Sequence, residues 1–138
     1  MDSNKRIFLD TNIVLDIVDP QRINNKKAVE LWNILVYKKY TIIISEDMLS
    51  TIFYINKDKK QTLEFFNLIT KRWIISIFGK NVIENVIRLS LKNNLDLEDM
   101  LQCFCAKENN CDILITNDKK FYDCGIQLMT TEEFLNEK

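Results

Sequence analysis

The sequence predicts an α/β protein, a three-layer α/β/α sandwich with a central, mainly parallel sheet. Short apolar stretches alternate along the chain with longer segments of helical periodicity, which is the order of an α/β fold. Each apolar stretch is continuous, as is typical of parallel strands that are buried on both faces. The chain of 138 residues contains two glycines and one proline, so few long irregular loops are expected. We expect one domain over residues 1–138.

The first strand is predicted over residues 6–9, an apolar stretch that stops at Asp10. A helix over residues 11–18 follows, and Pro20 ends it because proline cannot continue a helix. A second helix is predicted over residues 24–38. Its apolar residues recur at the spacing of one buried face, namely Ala28, Leu31, Trp32 and Leu35.

The second strand is predicted over residues 40–44, which are apolar or β-branched. Ser45 is expected to cap a third helix, because Glu46 and Asp47 would then lie in the first turn, where the helix dipole favours acids. A fourth helix is expected to begin at Asp58. Its buried face is predicted to consist of Leu63, Phe66 and Ile69.

The third strand is predicted over residues 73–78, and Gly79 breaks it. Asn94 ends the helix that follows, and another helix is predicted to begin at Asp96 or Leu97. The inner face of the first of these two helices is predicted at Val82, Ile83, Val86, Ile87 and Ser90.

The last part of the chain is predicted to form two strands, over residues 113–116 and 126–129, and a terminal helix that Thr130 caps. No internal repeat, linker or low-complexity stretch interrupts the alternation of strands and helices. The sheet therefore lies between helical layers in the predicted fold.

The composition restricts the kinds of site that this protein can contain. The net charge of −1 and the pI near 5.5 are not the strongly basic balance of many nucleic-acid-binding proteins. A nucleic acid would therefore have to be held locally, by a metal ion or by a few lysines. The chain has four cysteines, no CxxC pair and no histidine, so a zinc site is not expected. We expect the cysteines to be buried, reduced thiols.

The longest apolar stretches, such as residues 73–78, are far shorter than the roughly 18 residues that a membrane-spanning helix needs. Residues 1–6 lack the pattern of a signal peptide. The sequence therefore predicts a cytoplasmic protein with no membrane partner.

Carboxylates follow two of the predicted strands. Asp10 comes directly after the first strand, Asn117 and Asp118 come directly after the fourth, and Asp99 lies in the first turn of the helix that precedes the fourth strand. In an open parallel sheet, ligands bind beyond the carboxyl ends of the strands. Clustered carboxylates repel one another, and a divalent cation such as Mg²⁺ relieves that repulsion. With no histidine in the chain, hydrolysis of a phosphodiester here would depend on water activated by such an ion.

Four segments together resemble the PIN-domain family. They are Ile7-Phe8-Leu9-Asp10-Thr11-Asn12, Leu97-Glu98-Asp99-Met100-Leu101-Gln102, the stretch from Ile113 to Phe121 (ILITNDKKF) and the stretch from Met129 to Leu135 (MTTEEFL). The resemblance implies a Mg²⁺- or Mn²⁺-dependent ribonuclease that cleaves RNA, and some members are toxins of bacterial toxin–antitoxin pairs. It also implies that Asp10, Asp99 and Asp118 hold the metal and that Asn12 orients Asp10 through a hydrogen bond.

The sequence departs from the family pattern on the third helix. The family usually has an acid there, commonly Glu, where this chain has Thr51. Glu98 is the candidate to replace that acid, while Thr116 and Asn117 are expected to support the site. Lys119 and Lys120 could contact RNA phosphates, although surface lysines are usually only solvated.

Structural roles remain open for each acid. Asp10 could be a helix N-cap, Asp99 a first-turn acid that balances the helix dipole, and Asp118 an Asx-turn residue. A PIN-like protein that binds RNA or a protein partner without cleaving it is therefore the alternative function. Phosphoacceptor and phosphatase domains are excluded by Ile77-Phe78-Gly79 after the third strand and by Asp10-Thr11-Asn12 after the first.

The resemblance also implies partners, namely a protein antitoxin and a second copy of the chain. Helices two to four carry apolar side chains that one core need not cover. We therefore expect a homodimer through a region that contains Tyr37, Phe53, Tyr54 and Phe65.

Overall fold

The computed structural model describes residues 4–137. Of the N-terminal segment in which no signal pattern was found, Met1, Asp2 and Ser3 lie outside the described residues, as does Lys138. In chain order the elements are β1 (Arg6–Leu9), α1 (Thr11–Val18), α2 (Asn25–Tyr37), β2 (Thr41–Ser45), α3 (Asp47–Ile55), α4 (Lys59–Ile69), β3 (Ile74–Ser76), α5 (Gly79–Asn93), α6 (Leu97–Glu108), β4 (Ile113–Ile115), β5 (Gln127–Met129) and α7 (Thr131–Asn136). Between residues 4 and 137, no helix has both the length and the apolar character to cross a membrane.

The five strands form one parallel sheet in the order β3-β2-β1-β4-β5. The central strand β1 pairs with β2 on one side and with β4 on the other, where Ile7 lies opposite Ile42 and Ile113 respectively. Since all strands run the same way, all their carboxyl ends lie at one edge of the sheet. The predicted α/β/α sandwich with a parallel sheet is confirmed.

The helices form two groups that cover the two faces of this sheet. Helices α1, α2, α3, α4 and α7 pack against one another, whereas α5 packs against α6. The chain reverses its direction along the sheet after β3, and right-handed crossovers then place α5 and α6 on the opposite face. Helix α6, which carries Asp99, therefore approaches the central strands from the face opposite α1.

The core combines the strands, the inner faces of the helices and one aromatic cluster. Residues Ile7, Phe8 and Leu9 of β1 have no solvent exposure, as continuous apolar strands in a parallel sheet require. Under α2 and α4, the rings of Trp32, Phe65 and Trp73 make edge-to-face pairs with centroids 5.6–5.9 Å apart. Phe65 is thus a core residue, and its predicted place in an exposed dimer surface is wrong.

The predicted cap of the third helix is also wrong. Ser45 is the last residue of β2 and pairs with Ser76 of β3, and α3 begins only at Asp47, with Glu46 at its cap position. The reason is that the sheet pairing continues past Ile44, because the N–H of Glu46 also donates to the carbonyl of Ser76 (2.9 Å). Pairing between strands therefore takes precedence over the local capping signal.

Two predicted helix faces are corrected by the structure. Helix α4 buries Thr62, Phe65 and Ile69, while Leu63 is exposed. On α5 only Val86 is fully buried, and Ile83 and Ile87 face solvent. Helix α5 packs mainly against α6, so one line of side chains is covered while Ile83 and Ile87 are left open.

The expectation of four free thiols is wrong for one pair of cysteines. Cys103 of α6 and Cys124 of the β4–β5 connection form a disulfide, with Cα atoms 6.2 Å apart. Cys105 and Cys111 are free. The pair is 21 residues apart in the chain, and only the crossover from α6 through β4 brings the two side chains together.

Candidate metal centre

Asp10 lies at the carboxyl end of the central strand and is 6% exposed. Its N–H donates to the carbonyl of Ile115 (3.0 Å), which extends the pairing of β1 with β4 by one residue. Although Asp10 occupies the N-cap position of α1, its side chain makes no capping hydrogen bond. Instead its Oδ2 accepts a hydrogen bond from the hydroxyl of Thr116 (2.7 Å), which is also buried. Thr116 therefore fixes the orientation of this carboxylate.

The surroundings of Asp10 disfavour its negative charge. Burial is the largest cause and raises the pKa of Asp10 above its ordinary value. The Thr116 hydroxyl and the backbone N–H of Thr11 lower the pKa, but the charges of Glu98 and Asp118 raise it again. Asp10 is thus a desolvated acid with two other acids near it.

Asp99 lies in the first turn of α6 and is half-buried. A first-turn acid that only balanced the helix dipole would have a lowered pKa. The pKa of Asp99 is instead raised to about 7, first by burial and then by the charges of Asp96, Asp10, Asp118 and Glu98. The dipole alone does not account for this residue.

Asp118 lies in the exposed loop after β4. Its Oδ1 accepts the N–H of Lys120 (2.9 Å), so the residue does form an Asx-type turn. The N–H of Asp118 donates to the Thr116 hydroxyl (3.1 Å), which places the start of this loop beside Asp10. The side chain of Asn117 accepts the N–H of Thr131 (2.9 Å) and thereby attaches the loop to α7.

Glu98, the neighbour of Asp99, lies at the surface but its carboxylate is held in place. Its Oε2 accepts hydrogen bonds from the hydroxyl of Thr11 (3.3 Å) and from Nε2 of Gln102 (3.4 Å). Gln102 Nε2 also donates to the Thr11 hydroxyl (2.9 Å). Three polar side chains from α1 and α6 therefore meet next to Asp10.

Two expected supporting residues lie elsewhere. Asn12 was expected to bond to Asp10, but its Oδ1 faces Arg22 Nη2 (3.5 Å) on the surface, so that expectation is wrong. The reason is that the residue after Thr11 on α1 points outward while Thr116 already occupies the carboxylate. The hydroxyl of Thr51 turns back to the carbonyl of Asp47 in its own helix (3.5 Å), so α3 adds no charge to the site at that position.

The donor set suits a hard divalent cation, because Asp10, Glu98, Asp99 and Asp118 offer only carboxylate oxygens. Within residues 4–137, the described salt bridges join other pairs (Arg22–Asp16, Lys27–Glu132 and Lys80–Glu84), and none of them neutralises these four acids. Within the same residues, no three acidic or cysteine side chains converge tightly enough to hold one ion as they stand. The fit thus rests on donor type, burial and uncompensated charge.

Two grooves open beside this cluster. One, of about 440 Å³, contains Asp118, Asn117 and Arg22 in its wall. Its neighbour, of about 480 Å³, shares Asn24 and Asn117 with the first, and its charged residues are Lys27, Lys119, Glu132 and Glu133. Lys119 therefore faces a groove next to the acids, while Lys120 is exposed in the same loop.

Three polar residues near the acids were not predicted from the sequence, namely Thr11, Arg22 and Gln102. Thr11 belongs to the Asp-Thr-Asn segment, and Gln102 follows Glu98 by one helical turn, the spacing at which side chains on a helix meet. Those signals were available. Arg22 pairs with Asp16 across a turn (2.7 Å), and nothing in the local sequence indicates that it faces the groove.

The comparisons with known proteins agree with this fold. The family model described as PIN domain matches residues 7–126. Ribonuclease VapC1 of Aquifex aeolicus (strain VF5) is 37% identical over 136 residues, which is 96% of this chain and 94% of that protein. The structure of Mycobacterium tuberculosis VapC20, a Sarcin-Ricin loop cleaving toxin, is similar with a TM-score of 0.72 at 12% identity, over 87% of this chain and 95% of that one. The structure of VapBC2 from Rickettsia felis, bound to a promoter DNA fragment, is similar with a TM-score of 0.69 at 22% identity, over 91% of this chain and 98% of that one.

Proposed function

The chain belongs to the PIN-domain family, and from that membership we propose that it is a divalent-metal-dependent endoribonuclease, the toxin of a toxin–antitoxin pair. The observation that carries this proposal is the buried Asp10 at the carboxyl end of β1. The charge of Asp118 raises the pKa of Asp10, and the charges of Asp10 and Asp118 raise the pKa of Asp99. Among the described residues, no cationic side chain forms a salt bridge with these three acids. The similarity to a protein named as a ribonuclease supports the same reaction.

We assign the metal ligands to Asp10, Asp99 and Asp118, and the ion to Mg²⁺ or Mn²⁺. When bound, such an ion supplies Lewis acidity toward a phosphodiester and lowers the pKa of water. The protein contributes the orientation of the ligands. The Thr116 hydroxyl holds Asp10 in its ionised form through a hydrogen bond to Oδ2, and the N–H of Lys120 fixes one oxygen of Asp118.

We propose that RNA lies in the two grooves beside Asp118. Lys119 can contact phosphates there, and Arg22 and Lys27 can do so by exchanging their ion pairs with Asp16 and Glu132. Asn24 and Asn117 offer amides at the junction of the grooves. Lys120 is exposed in the same loop and can contact phosphate from outside. Because few cations are involved, binding should depend less on salt concentration than in strongly basic nucleic-acid-binding proteins. Since RNA is the substrate, we place the protein in the cytoplasm.

We propose two protein partners, an antitoxin and a second copy of the chain. The similar VapBC2 structure supports the first. For the second, the expected surface loses Phe65 but keeps Tyr37 and Tyr54, each of which is 86% exposed. A separate apolar line of Ile83, Ile87 and Leu91 is open on α5, which lies on the opposite face of the sheet and outside this proposed dimer surface.

The test of the nuclease is cleavage of a mixed RNA pool in the presence of Mn²⁺. The wild type should cleave, EDTA should abolish cleavage, and added Mn²⁺ should restore it. Asp10→Asn should be inactive. Asp123→Asn should be active, because it is a matched change in an exposed acid whose one side-chain hydrogen bond within residues 4–137 is to the N–H of Gly125. Full activity in excess chelator would exclude the metal-dependent mechanism.

The alternative function is a PIN-like protein that binds RNA or a partner without cleavage. Thr51 in place of the usual acid and the lack of a closed three-acid arrangement within residues 4–137 favour it. Retention of a labelled RNA by the wild type, with no cleavage in either Mg²⁺ or Mn²⁺ and no loss of retention in Asp10→Asn, would establish this function instead.

A further inference from the structure

The side chains of Thr11 and Gln102 do more than pack α1 against α6. Gln102 is 1% exposed and Thr11 is 5% exposed, so both polar groups lie in the interior, where polar groups must be paired with good geometry. They pair with each other at 2.9 Å, and each also donates to the same oxygen of Glu98. The residues that they join are 91 positions apart in the chain.

This arrangement has a cost that simple packing would avoid. The other amide atom of Gln102, Oε1, is buried and has no hydrogen-bond partner among the described residues. An apolar side chain of the same size would pack there without leaving an acceptor unpaired. Packing alone therefore does not explain Gln102, whereas the hydrogen bonds that its Nε2 donates to Thr11 and Glu98 do.

Nε2 holds a carboxylate that would otherwise be mobile. Glu98 lies at the surface, and exposed glutamates ordinarily sample several rotamers. Here its Oε2 is bound from α1 and from one turn further along α6. Since Thr11 directly follows Asp10, the Glu98 carboxylate lies at the same end of α1 as the buried acid.

We propose that Glu98 is the fourth acid of the metal centre and that Thr11 and Gln102 are its positioning residues, so that α6 supplies the acid that α3 lacks at Thr51. This inference rests on the proposed metal-dependent function. It assigns roles that the sequence left open for Glu98 and did not indicate for the other two. Helix α6 then contributes two adjacent acids, Glu98 and Asp99, on the side of the sheet opposite α3.

The test is calorimetric titration with Mn²⁺, which measures affinity apart from catalysis. Glu98→Gln should weaken Mn²⁺ binding by about tenfold or more, and Thr11→Val and Gln102→Leu should each weaken it by about tenfold. Thr11→Ser keeps the hydroxyl and should bind as the wild type does. Glu108→Gln, an exposed acid at the other end of the same helix, is the matched control and should leave the affinity unchanged.

A purely structural role predicts a different pattern. In that case Thr11→Val and Gln102→Leu would lower the thermal midpoint of the metal-free protein but leave Mn²⁺ affinity as it was, and the inference would be overturned. Glu98 is exposed, so Glu98→Gln tests the inference even if a core variant does not fold. If Glu98→Gln binds Mn²⁺ like the wild type while Asp10→Asn does not bind, the inference fails and the proposed function stands. If the wild type itself does not bind, both fail.

Discussion

The hydrogen bond from Thr116 to Asp10 should make the proposed metal centre sensitive to a single hydroxyl group. Replacing Thr116 by Val keeps the shape of the side chain but removes the donor that lies 2.7 Å from Asp10 Oδ2. A hydrogen bond to a charged group contributes about 1.5–3 kcal/mol. Since about 1.4 kcal/mol corresponds to tenfold in an equilibrium constant, the ionised form of Asp10 should become about 10- to 100-fold less favourable.

The consequence is a weaker metal site whose defect depends on pH. Removing the Thr116 hydroxyl eliminates a contribution that lowers the pKa of Asp10, so this pKa rises further. Mn²⁺ must then compete with a proton for the carboxylate. Calorimetric titration of Thr116→Val should therefore show the largest loss of affinity at mildly acidic pH and a smaller loss at alkaline pH.

Two variants separate this effect from a general loss of structure. Thr116→Ser keeps both the donor to Asp10 and the acceptor for the N–H of Asp118, so it should bind Mn²⁺ as the wild type does. Thr62→Val removes an equally buried hydroxyl of α4, which accepts a hydrogen bond from Asn56 and donates one to the carbonyl of Asp58. This variant should be less stable than the wild type but should bind Mn²⁺ with the same affinity. If Thr116→Val and the wild type bind Mn²⁺ equally at every pH, the hydrogen bond does not control the site.

Three further predictions concern charge, redox state and assembly. The pKa of Asp99 is raised from an ordinary value of 3.8 to about 7, so the folded, metal-free protein keeps the Asp99 proton to higher pH than the unfolded chain does. The stability that protonated Asp99 contributes therefore falls as pH rises from about 4 to about 7. Chemical denaturation of the metal-free protein should accordingly show Asp99→Asn gaining stability relative to the wild type from about pH 4 to about pH 7, and a constant difference would refute the shift. The Cys103–Cys124 disulfide closes a loop of 21 residues, so reducing it should lower the free energy of unfolding by about 3 kcal/mol. The Cys103→Ser variant should be unaffected by reductant. Equal denaturation midpoints of the wild type with and without dithiothreitol would contradict this prediction. Tyr54→Glu on α3 should convert a dimer to monomers in light scattering, whereas Lys92→Glu on α5 should not, and a wild type that is monomeric at micromolar concentration would rule out the dimer.

The elements that the sequence predicted well are those whose signals are local. The strand that ends at Asp10, the end of α5 at Asn94 with its positive φ of 54°, and the cap of α7 at Thr130 each depend on neighbouring residues alone. The order of apolar strands and amphipathic helices was enough to predict the parallel sheet, because continuous apolar strands require cover on both faces.

The errors arose where tertiary contacts decide the outcome. Ser45 has the local features of a cap, yet pairing with Ser76 keeps it in β2. The apolar face of α5 satisfies helical periodicity at Ile83 and Ile87, but periodicity does not say whether another element will cover that face. Asn12 stands two residues after Asp10 in a segment typical of the family, but its side chain on α1 is exposed. The hydrogen bond to Asp10 comes instead from Thr116, which is 106 positions away in the chain and cannot be identified from the local sequence.

The candidate site shows the same division. Sequence order placed Asp10 and Asp118 at one edge of the sheet, since that follows from the topology alone. The hydrogen bonds of Glu98 with Thr11 and Gln102 join residues 87 and 4 positions away, and such contacts depend on how α6 lies across the sheet. The residue types indicate the kind of chemistry, whereas the hydrogen-bond partners of each acid depend on tertiary packing.

The bond between Asp10 and Thr116 also has a bearing on when the protein can act during its own synthesis. The two residues are 106 positions apart, and β1 acquires its neighbour β4 only after α5 and α6 have been made. A nascent chain that has not yet released Thr116 from the ribosome has Asp10 but neither the hydroxyl that holds it nor Asp118. Contacts of such long range are slow to form, because the entropy of loop closure opposes them. The ribosome therefore completes nearly the whole polypeptide before the proposed centre can assemble, and translation products that end before Thr116 lack both this hydroxyl and Asp118.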